Sequence, residues 1–586
     1  MSLLTRSPAS LAAAAVLTVS AVALSGCSMP WTDSPTDRFL SAVNEGNWAD
    51  AASDTTDPEA AEAWLTGMEE SIGETTLHLD NDDGSTTATW TVPAGDEVTS
   101  TGTLSTGDSD KVAWDPTLFS DDLTADSTLT YSDDRNYGLQ VLDRRNDPQL
   151  SWTPVTVVTA TDETDLNAVA DAVRPAIPDF DTADAEAQIS DADGEVALFS
   201  LRAEDWDRVK DAMTGLPGVS TREDGRLLPA SASSSPLDGG LTDYWTEKLD
   251  DTAGWTLAVA DAEGTPATVL GQKDADQVDP VHTTMDLGMQ AAANRVLDGV
   301  DQPASIVAMS VSTGGVLAVA QNDAASAEGT PALTGLFPPG STFKTVTTSA
   351  ALARGTVHAD DTVSCPASVD VDGRTIPNDH DFELGEVPLH TAFAQSCNTT
   401  QALISRDLEP DDLKNTAAQY GLGVDFDAPG MTSVTGSVPT TDQGAARVES
   451  AIGQGEVVAS PFGLALMEAS VANGGTMVTP SLVTGEKTEA DQSPEPMDPA
   501  VVESLRSMMR ETVESGTASQ LSDIDGLGGK TGTAEVDGGP AHGWFVGVVG
   551  DVAFCTFISG ADSSTPAVDL SGEFLRDEAL SEVTTQ

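Results

Sequence analysis

The spacing of apolar positions changes several times along this chain, and each change marks a different element. Phe39, Leu40 and Val43 lie at helical spacing, followed by Trp48, Ala51 and Ala52 and then by Trp64, Leu65 and Met68. The period drops to two at Leu77 and Leu79, ahead of an Asn81-Asp82-Asp83-Gly84 turn, and stays there at Ala88, Trp90 and Val92. Helices followed by antiparallel strands predict a small α+β domain over residues 35–128. Residues 129–280 form a second region. Pro154 to Val158 is strand-like, Leu166, Val169 and Val173 mark a helix, Phe199-Ser200-Leu201 is a strand, and Trp206 and Val209 belong to a second helix. Pro229 to Gly240 is rich in Ser, Gly and Pro and reads as a loop or linker. Neither region carries an evident chemical motif. Their polar residues are most simply a solvated face.

The third region, residues 281–586, opens with a helix bearing Met289, Ala293 and Val296. Two unbroken apolar runs follow, Ile306–Val311 and Gly315–Ala320, around Thr313-Gly314. They predict a hairpin of buried strands. More strand-like sequence lies at Gly543–Val549 and Val552–Phe557. The expectation is an antiparallel sheet with helices packed on it.

Length and charge bound the class. At 586 residues the chain is too long for one core, and three to four domains are expected on size alone. It carries 95 Asp plus Glu against 26 Lys plus Arg, a formal charge of −69. Such a field repels nucleic acid and anionic headgroups. The acids are spread through patterned sequence, so they read as a solvated surface rather than as disordered tails.

The N-terminus reads as a targeting segment. Arg6 is followed by an apolar, alanine-rich Leu11–Leu24 and by Leu24-Ser25-Gly26-Cys27. This resembles a bacterial lipoprotein signal, residues 1–26, in which Cys27 is lipidated and residues 27–34 form a tether. An uncleaved membrane anchor is the alternative. Either way the rest of the chain lies outside the cytoplasmic membrane. Three further cysteines have no metal-type spacing. Cys555 sits in a strand-like run as a core thiol. Cys365 and Cys397 are candidates for a disulfide, their separation in space being undetermined by sequence.

Candidate chemistry gathers in the third region. In Phe337-Pro338-Pro339-Gly340-Ser341-Thr342-Phe343-Lys344 the prolines and glycine forbid a helix before Ser341, and an Ala/Thr-rich run begins at Thr345. Ser341 thus stands at a helix start with Lys344 one turn on, on the same face. A serine hydroxyl needs an adjacent base to become a nucleophile, and a lysine serves if burial or a neighbouring cation lowers its pKa. An isolated Ser-x-x-Lys is usually a helix cap, but the chain has only eight lysines. Ser396-Cys397-Asn398 falls between two helix-like stretches, where its hydroxyl and amide suit proton passage and amide binding. A helix cap is the commoner reading of such a tripeptide alone. Lys530-Thr531-Gly532-Thr533 follows Gly528-Gly529. Strand alternation puts Lys530 and Gly532 on one face, Thr531 and Thr533 on the other. Lysine and threonine hydroxyls suit a carboxylate, and Gly532 admits a close backbone.

Ser-x-x-Lys, Ser-x-Asn and Lys-Thr-Gly in this order resemble the penicillin-binding transpeptidases. Gly453-Gln454-Gly455-Glu456 and His542-Gly543-Trp544-Phe545 add to the likeness. The front half is similar to class B members of the methicillin-resistance type. The resemblance implies a multidomain α+β protein: a nuclear-transport-factor-like domain at 35–128, a dimerisation or pedestal domain at 129–280 and a transpeptidase domain at 281–586 with helices on both faces of an antiparallel sheet. Where such proteins begin the pedestal with Arg-Gly-x-Ile-x-Asp-Arg, Val141, Asp143 and Arg144 fit but Gly138 and Leu139 replace Arg-Gly. The implied activity is peptidoglycan D,D-transpeptidation with no metal or organic cofactor. Ser341 is the nucleophile, Lys344 its base and Ser396 a proton relay. Asn398, Lys530, Thr531, Gly532 and Thr533 bind substrate. The implied partners are peptidoglycan stem peptides, β-lactams and a membrane glycan polymerase. A D,D-carboxypeptidase, a serine β-lactamase and a low-turnover sensor or scaffold are the competing readings.

Overall fold

The computed structural model describes residues 34–581 apart from residues 74, 108–109, 179, 193, 230–232, 262–264, 372, 443 and 537. The expected signal and Cys27 lie outside the described residues. Among the described residues no helix is long and apolar enough to cross a membrane.

The chain divides into two units, one made of the segments up to Asp134 and Gly254–Ala275, the other of Arg135–Ala253 and the segment from Asp276 onward. In the first, three helices precede the sheet. Pro35–Asn44 starts on a capping box in which Ser34 and Asp37 satisfy each other's backbone N–H groups. Asp57 caps Pro58–Ile72 through the Ala60 N–H. Strands Thr76–Asp82, Ser85–Thr91 and Glu97–Thr103 pair in sequence order. Asp83 and Gly84 both take positive φ in the tight turn of the first hairpin, as a right-twisted two-residue connection requires. Trp90 is fully buried and donates its indole N–H to Ser100 Oγ at 2.9 Å.

One sequence expectation is corrected here. Gly254–Ala260 and Pro266–Lys273, expected within the 129–280 region, join the first unit. Gly254–Ala260 pairs along its length with Thr128–Asp134, and Trp255, Leu257 and Val259 enter the same core as Trp90. Their apolar faces have to be covered, and the chain returns to do it.

In the second unit a long strand, Pro148–Ala160, has Val219–Pro229 on one edge and Val196–Arg202 on the other. Near its start Val141–Leu142 pairs with it and, in parallel, with Val281–His282. The Gly138-Leu139 departure is absorbed in the core: Leu139 is buried, and its carbonyl accepts the Trp245 indole N–H at 2.7 Å. Asp143 is buried and accepts N–H bonds from Arg145 and Asp147, each at 2.8 Å. The Pro229–Gly240 stretch, read as a loop, already begins a helix at Asp238, which runs to Asp251 and buries Leu241, Trp245 and Leu249.

The part after Asp276 is built on a five-stranded antiparallel sheet. Its spatial order is Val316–Gln321, Ala304–Ser310, Val552–Ile558, Gly539–Val549 and Gly528–Val536. Strand alternation divides its side chains between two cores. Ile306, Ala308 and Phe554 pack with Met289, Leu297 and Phe574 on one face. Val307, Met309 and Cys555 pack with Phe343, Val346 and Leu464 on the other. Helices therefore cover both faces, as expected. Pro461–Ala472 is buried throughout Pro461–Val471, the mark of a helix inside a core rather than on its surface.

Candidate active site

Gly340–Phe343 forms a single tight turn that runs directly into the helix Lys344–Arg354. Ser341 is half-buried on this turn, and Lys344, one turn on, is fully buried. Two glycines let the turn press against its surroundings. Gly340 has φ +54°, and a Cβ there would stand 2.5 Å from the Thr533 carbonyl oxygen. Gly453 has φ +72°, and a Cβ there would meet the Gly340 carbonyl oxygen at 2.0 Å. The Gly340 N–H donates to the Gly453 carbonyl at 2.9 Å. The space on the Cβ side of Gly532 is filled by the Gly340–Phe343 turn, with a Cβ lying 2.8 Å from Thr342 Cγ2 and 2.9 Å from the Pro339 carbonyl oxygen.

Ser396 occupies the turn between helices Leu389–Ala394 and Asn398–Ile404, with the left-handed φ of +58°. That strain is held by covalent and polar ties. Cys397 is disulfide-bonded to Cys365, with 6.2 Å between the α-carbons. Asn378, almost fully buried, accepts the Thr399 N–H at 3.1 Å and donates to the Pro366 and Phe382 carbonyls at 2.9 and 2.8 Å.

The three motifs converge on one oxygen. Lys344 Nζ donates to Ser396 Oγ at 3.2 Å, to the Ser396 carbonyl at 2.7 Å and to Asn398 Oδ1 at 2.5 Å. Lys530 Nζ donates to the same Ser396 Oγ at 3.0 Å and to the Thr531 carbonyl at 2.9 Å. Asn398 is engaged at its other end too, donating Nδ2 to the Pro377 carbonyl at 3.0 Å. Thr531 Oγ1 pairs with Thr517 Oγ1 at 2.6 Å, and Thr533 Oγ1 accepts the Ser564 N–H at 3.2 Å. The strand bearing Lys530 is the edge of the sheet, so alternate N–H groups face away from the ladder.

Electrostatics follow from burial. Removal from water, and secondarily the charge of Lys530, holds the Lys344 amine well below its usual range, with Asp379 opposing. Burial lowers Lys530 to about 7, with Glu468 pulling the other way. The site thus holds an amine able to take a proton from a serine hydroxyl near neutral pH. Glu468 was not singled out from sequence, and its signal was a lone acid inside an otherwise apolar helix. Thr517 carried no signal at all.

Residues 304–569 match the penicillin binding protein transpeptidase domain. The chain is 29% identical over 380 residues to the peptidoglycan D,D-transpeptidase PbpA of Mycolicibacterium smegmatis, covering 55% of this chain and 75% of that protein. It is 30% identical over 235 residues to PbpA of Mycobacterium tuberculosis, covering 37% of this chain and 47% of that protein. In fold it is similar to a solved complex of a penicillin-binding protein (PBP2) and MreC from Helicobacter pylori. The TM-score is 0.58 at 14% identity, over 76% of this chain and 98% of that one. The C-terminal half therefore carries a penicillin-binding-protein transpeptidase domain. Its activity is that of a serine-type peptidoglycan D,D-transpeptidase, as in class B penicillin-binding proteins.

Proposed function

We propose that the whole chain is a cell-wall cross-linking enzyme, anchored through lipidated Cys27 to the outer face of the cytoplasmic membrane. Ser341 Oγ gives its proton to neutral Lys344 and attacks the carbonyl of the penultimate D-alanine of a stem peptide. The Ser341 and Thr533 N–H groups hold the resulting oxyanion, each donor contributing roughly 3–4 kcal/mol. The tetrahedral intermediate collapses and the C–N bond breaks. The proton passes from Lys344 through the Ser396 hydroxyl to the departing D-alanine amine. Lys530, Thr531 and Thr533 bind the terminal carboxylate, and Asn398 the substrate amide. An amine from a neighbouring stem then attacks the acyl-enzyme, and its proton passes by way of Lys344 to Ser341 Oγ as the serine–carbonyl bond breaks, restoring the hydroxyl and the neutral lysine. A β-lactam follows the first half of this path and leaves Ser341 acylated.

The observation that carries this reading is the pair of lysines on one serine oxygen, one turn from a second serine. In the front part, helices followed by an antiparallel sheet support the nuclear-transport-factor-like reading. The strand-and-helix segment that follows supports a pedestal of the methicillin-resistance type, with a membrane glycan polymerase as the partner. The test is incubation with a stem pentapeptide and an amine acceptor. Release of D-alanine with equal cross-linked product supports the reading, and D-alanine without cross-link indicates a carboxypeptidase.

A further inference from the structure

The run His542-Gly543-Trp544 has no part in the proposed mechanism. It lies on the strand Gly539–Val549, which pairs with the strand of Lys530: His542 stands opposite Ala534, Gly543 opposite Thr533 and Trp544 opposite Gly532. Opposed residues share a face of the sheet, so His542 and Trp544 lie on the face of Lys530, the one that meets the nucleophile turn. Each of the three fits a neighbouring segment to the strand. Trp544 donates its indole N–H to the Pro338 carbonyl at 3.1 Å, three residues before Ser341. Gly543 leaves room for the Ser563 carbonyl, whose oxygen would stand 2.4 Å from a Cβ there. His542 Nδ1 accepts the Gly560 N–H at 3.2 Å, with the Ser559 hydroxyl at 3.4 Å. The segment held in this way, 559–564, also donates the Asp562 N–H to the Ala541 carbonyl at 2.9 Å and the Ser564 N–H to Thr533 Oγ1 at 3.2 Å. The His542 ring meets Phe337 edge-on, with 5.5 Å between ring centres, and Phe337 itself stacks on Phe557 at 4.4 Å. One imidazole thus touches both the loop that leads to Ser341 and the segment that holds the Thr533 hydroxyl.

A backbone N–H can only donate, so the Gly560 bond fixes His542 as the neutral tautomer with its proton on Nε2. A second proton has to enter at Nδ1, where it would face the Gly560 N–H, donor against donor. We propose that His542 is a positioning residue: its unprotonated Nδ1 holds the 559–564 segment, and through it Thr533, in the arrangement that acylates Ser341, and protonation of the ring releases that hold. The inference rests on the transpeptidase reading of Ser341 and Thr533. Burial keeps the pKa of His542 below its usual value, and Glu328 is the charge that opposes this. The groups that meet the ring from the neighbouring strand and loops, Phe337, Phe557, Ser559 and Gly560, are uncharged. The bond is therefore intact at neutral pH and is lost as the pH falls below the ordinary imidazole range.

The test is the rate of acylation by benzylpenicillin against pH in the full-length wild type, in His542→Asn and in His542→Ala. An asparagine carboxamide keeps an acceptor near the place of Nδ1 and does not titrate. At about pH 7.5 His542→Asn should match the wild type, and His542→Ala should be slower by roughly tenfold, the worth of one hydrogen bond. At about pH 5 the wild type should have fallen to roughly a tenth of the His542→Asn rate and close to that of His542→Ala. Protonation of Lys344 acts on all three proteins alike and cancels in the ratios. Should His542→Asn not fold, His542→Gln carries the same non-titrating carboxamide and must show the same pH-dependent ratio. Ratios that stay constant with pH, or a carboxamide variant as slow as His542→Ala at about pH 7.5, overturn the proposal. No acylation of the wild type at any pH overturns the transpeptidase reading instead, so the two failures are distinguishable.

Discussion

The catalytic sheet and the first unit are both helices packed on antiparallel strands, but they bury different things. The first unit fills its core with Phe39, Trp90 and Phe119, and its buried polar groups are mostly hydroxyls with partners, such as Thr86 to the Leu118 carbonyl and Ser100 to the Phe119 carbonyl. Among its described residues, the largely buried acid Asp54 is paired with Arg38. The catalytic region buries Lys344, Lys530 and Glu468 completely, and among the described residues no opposite charge is in hydrogen-bond contact with any of them. Burying charge opposes folding unless the group neutralises, so the second arrangement gives up stability in exchange for altered proton affinity.

The contrast can be broken by substitution. Ser341→Ala should abolish acylation by penicillin outright while leaving the melting temperature nearly unchanged. Lys344→Ala should slow it by about a thousandfold, the range for loss of a general base. Both are read by intact mass against time.

Lys530→Met separates stability from activity. The folded-state pKa of Lys530 is depressed, so its cost to stability is absent above the unfolded value of about 10.5 and grows as pH falls toward about 7. The variant should therefore lose acylation yet melt at a higher temperature than the wild type at pH 7, by up to several kcal/mol in unfolding free energy. That gain should vanish near pH 10.5. Equal melting curves at pH 7 would show that the buried charge is not a burden.

Removing the Cys365–Cys397 bond tests how the strained Ser396 turn is held. Cys365→Ser should cost roughly 2–4 kcal/mol of stability and slow acylation as Ser396 loses its fixed position. Thiol labelling of the unreduced, unfolded protein should modify Cys555 but neither Cys365 nor Cys397. At the small end, Asp57→Ala removes one helix cap in the first unit. It should cost about 1 kcal/mol with no change in acylation rate.

Much of the catalytic region was legible because its chemistry needs particular residue types at fixed short spacings. Lys344, Ser396, Asn398 and Lys530 lie within hydrogen-bond reach of one another, and the apolar hairpin around Thr313-Gly314 marked the sheet. What stayed hidden depended on distances across the fold. Cys365 and Cys397 are 32 residues apart, and nothing in their spacing fixed whether they meet. The packing of Thr342 and Pro339 against the Cβ side of Gly532 is invisible in sequence. The strands at 254–273 read as part of the second region because sequence order says nothing of a chain that returns to an earlier sheet. Glu468 was missed because a single acid in an apolar helix has no motif.

The central claim is that Ser341, served by two buried lysines, is an acylating nucleophile. Intact mass after incubation with benzylpenicillin, followed over hours, tests it most directly. The account predicts a single long-lived adduct that maps to Ser341. No adduct, or a rapidly lost one with the drug consumed, would contradict it.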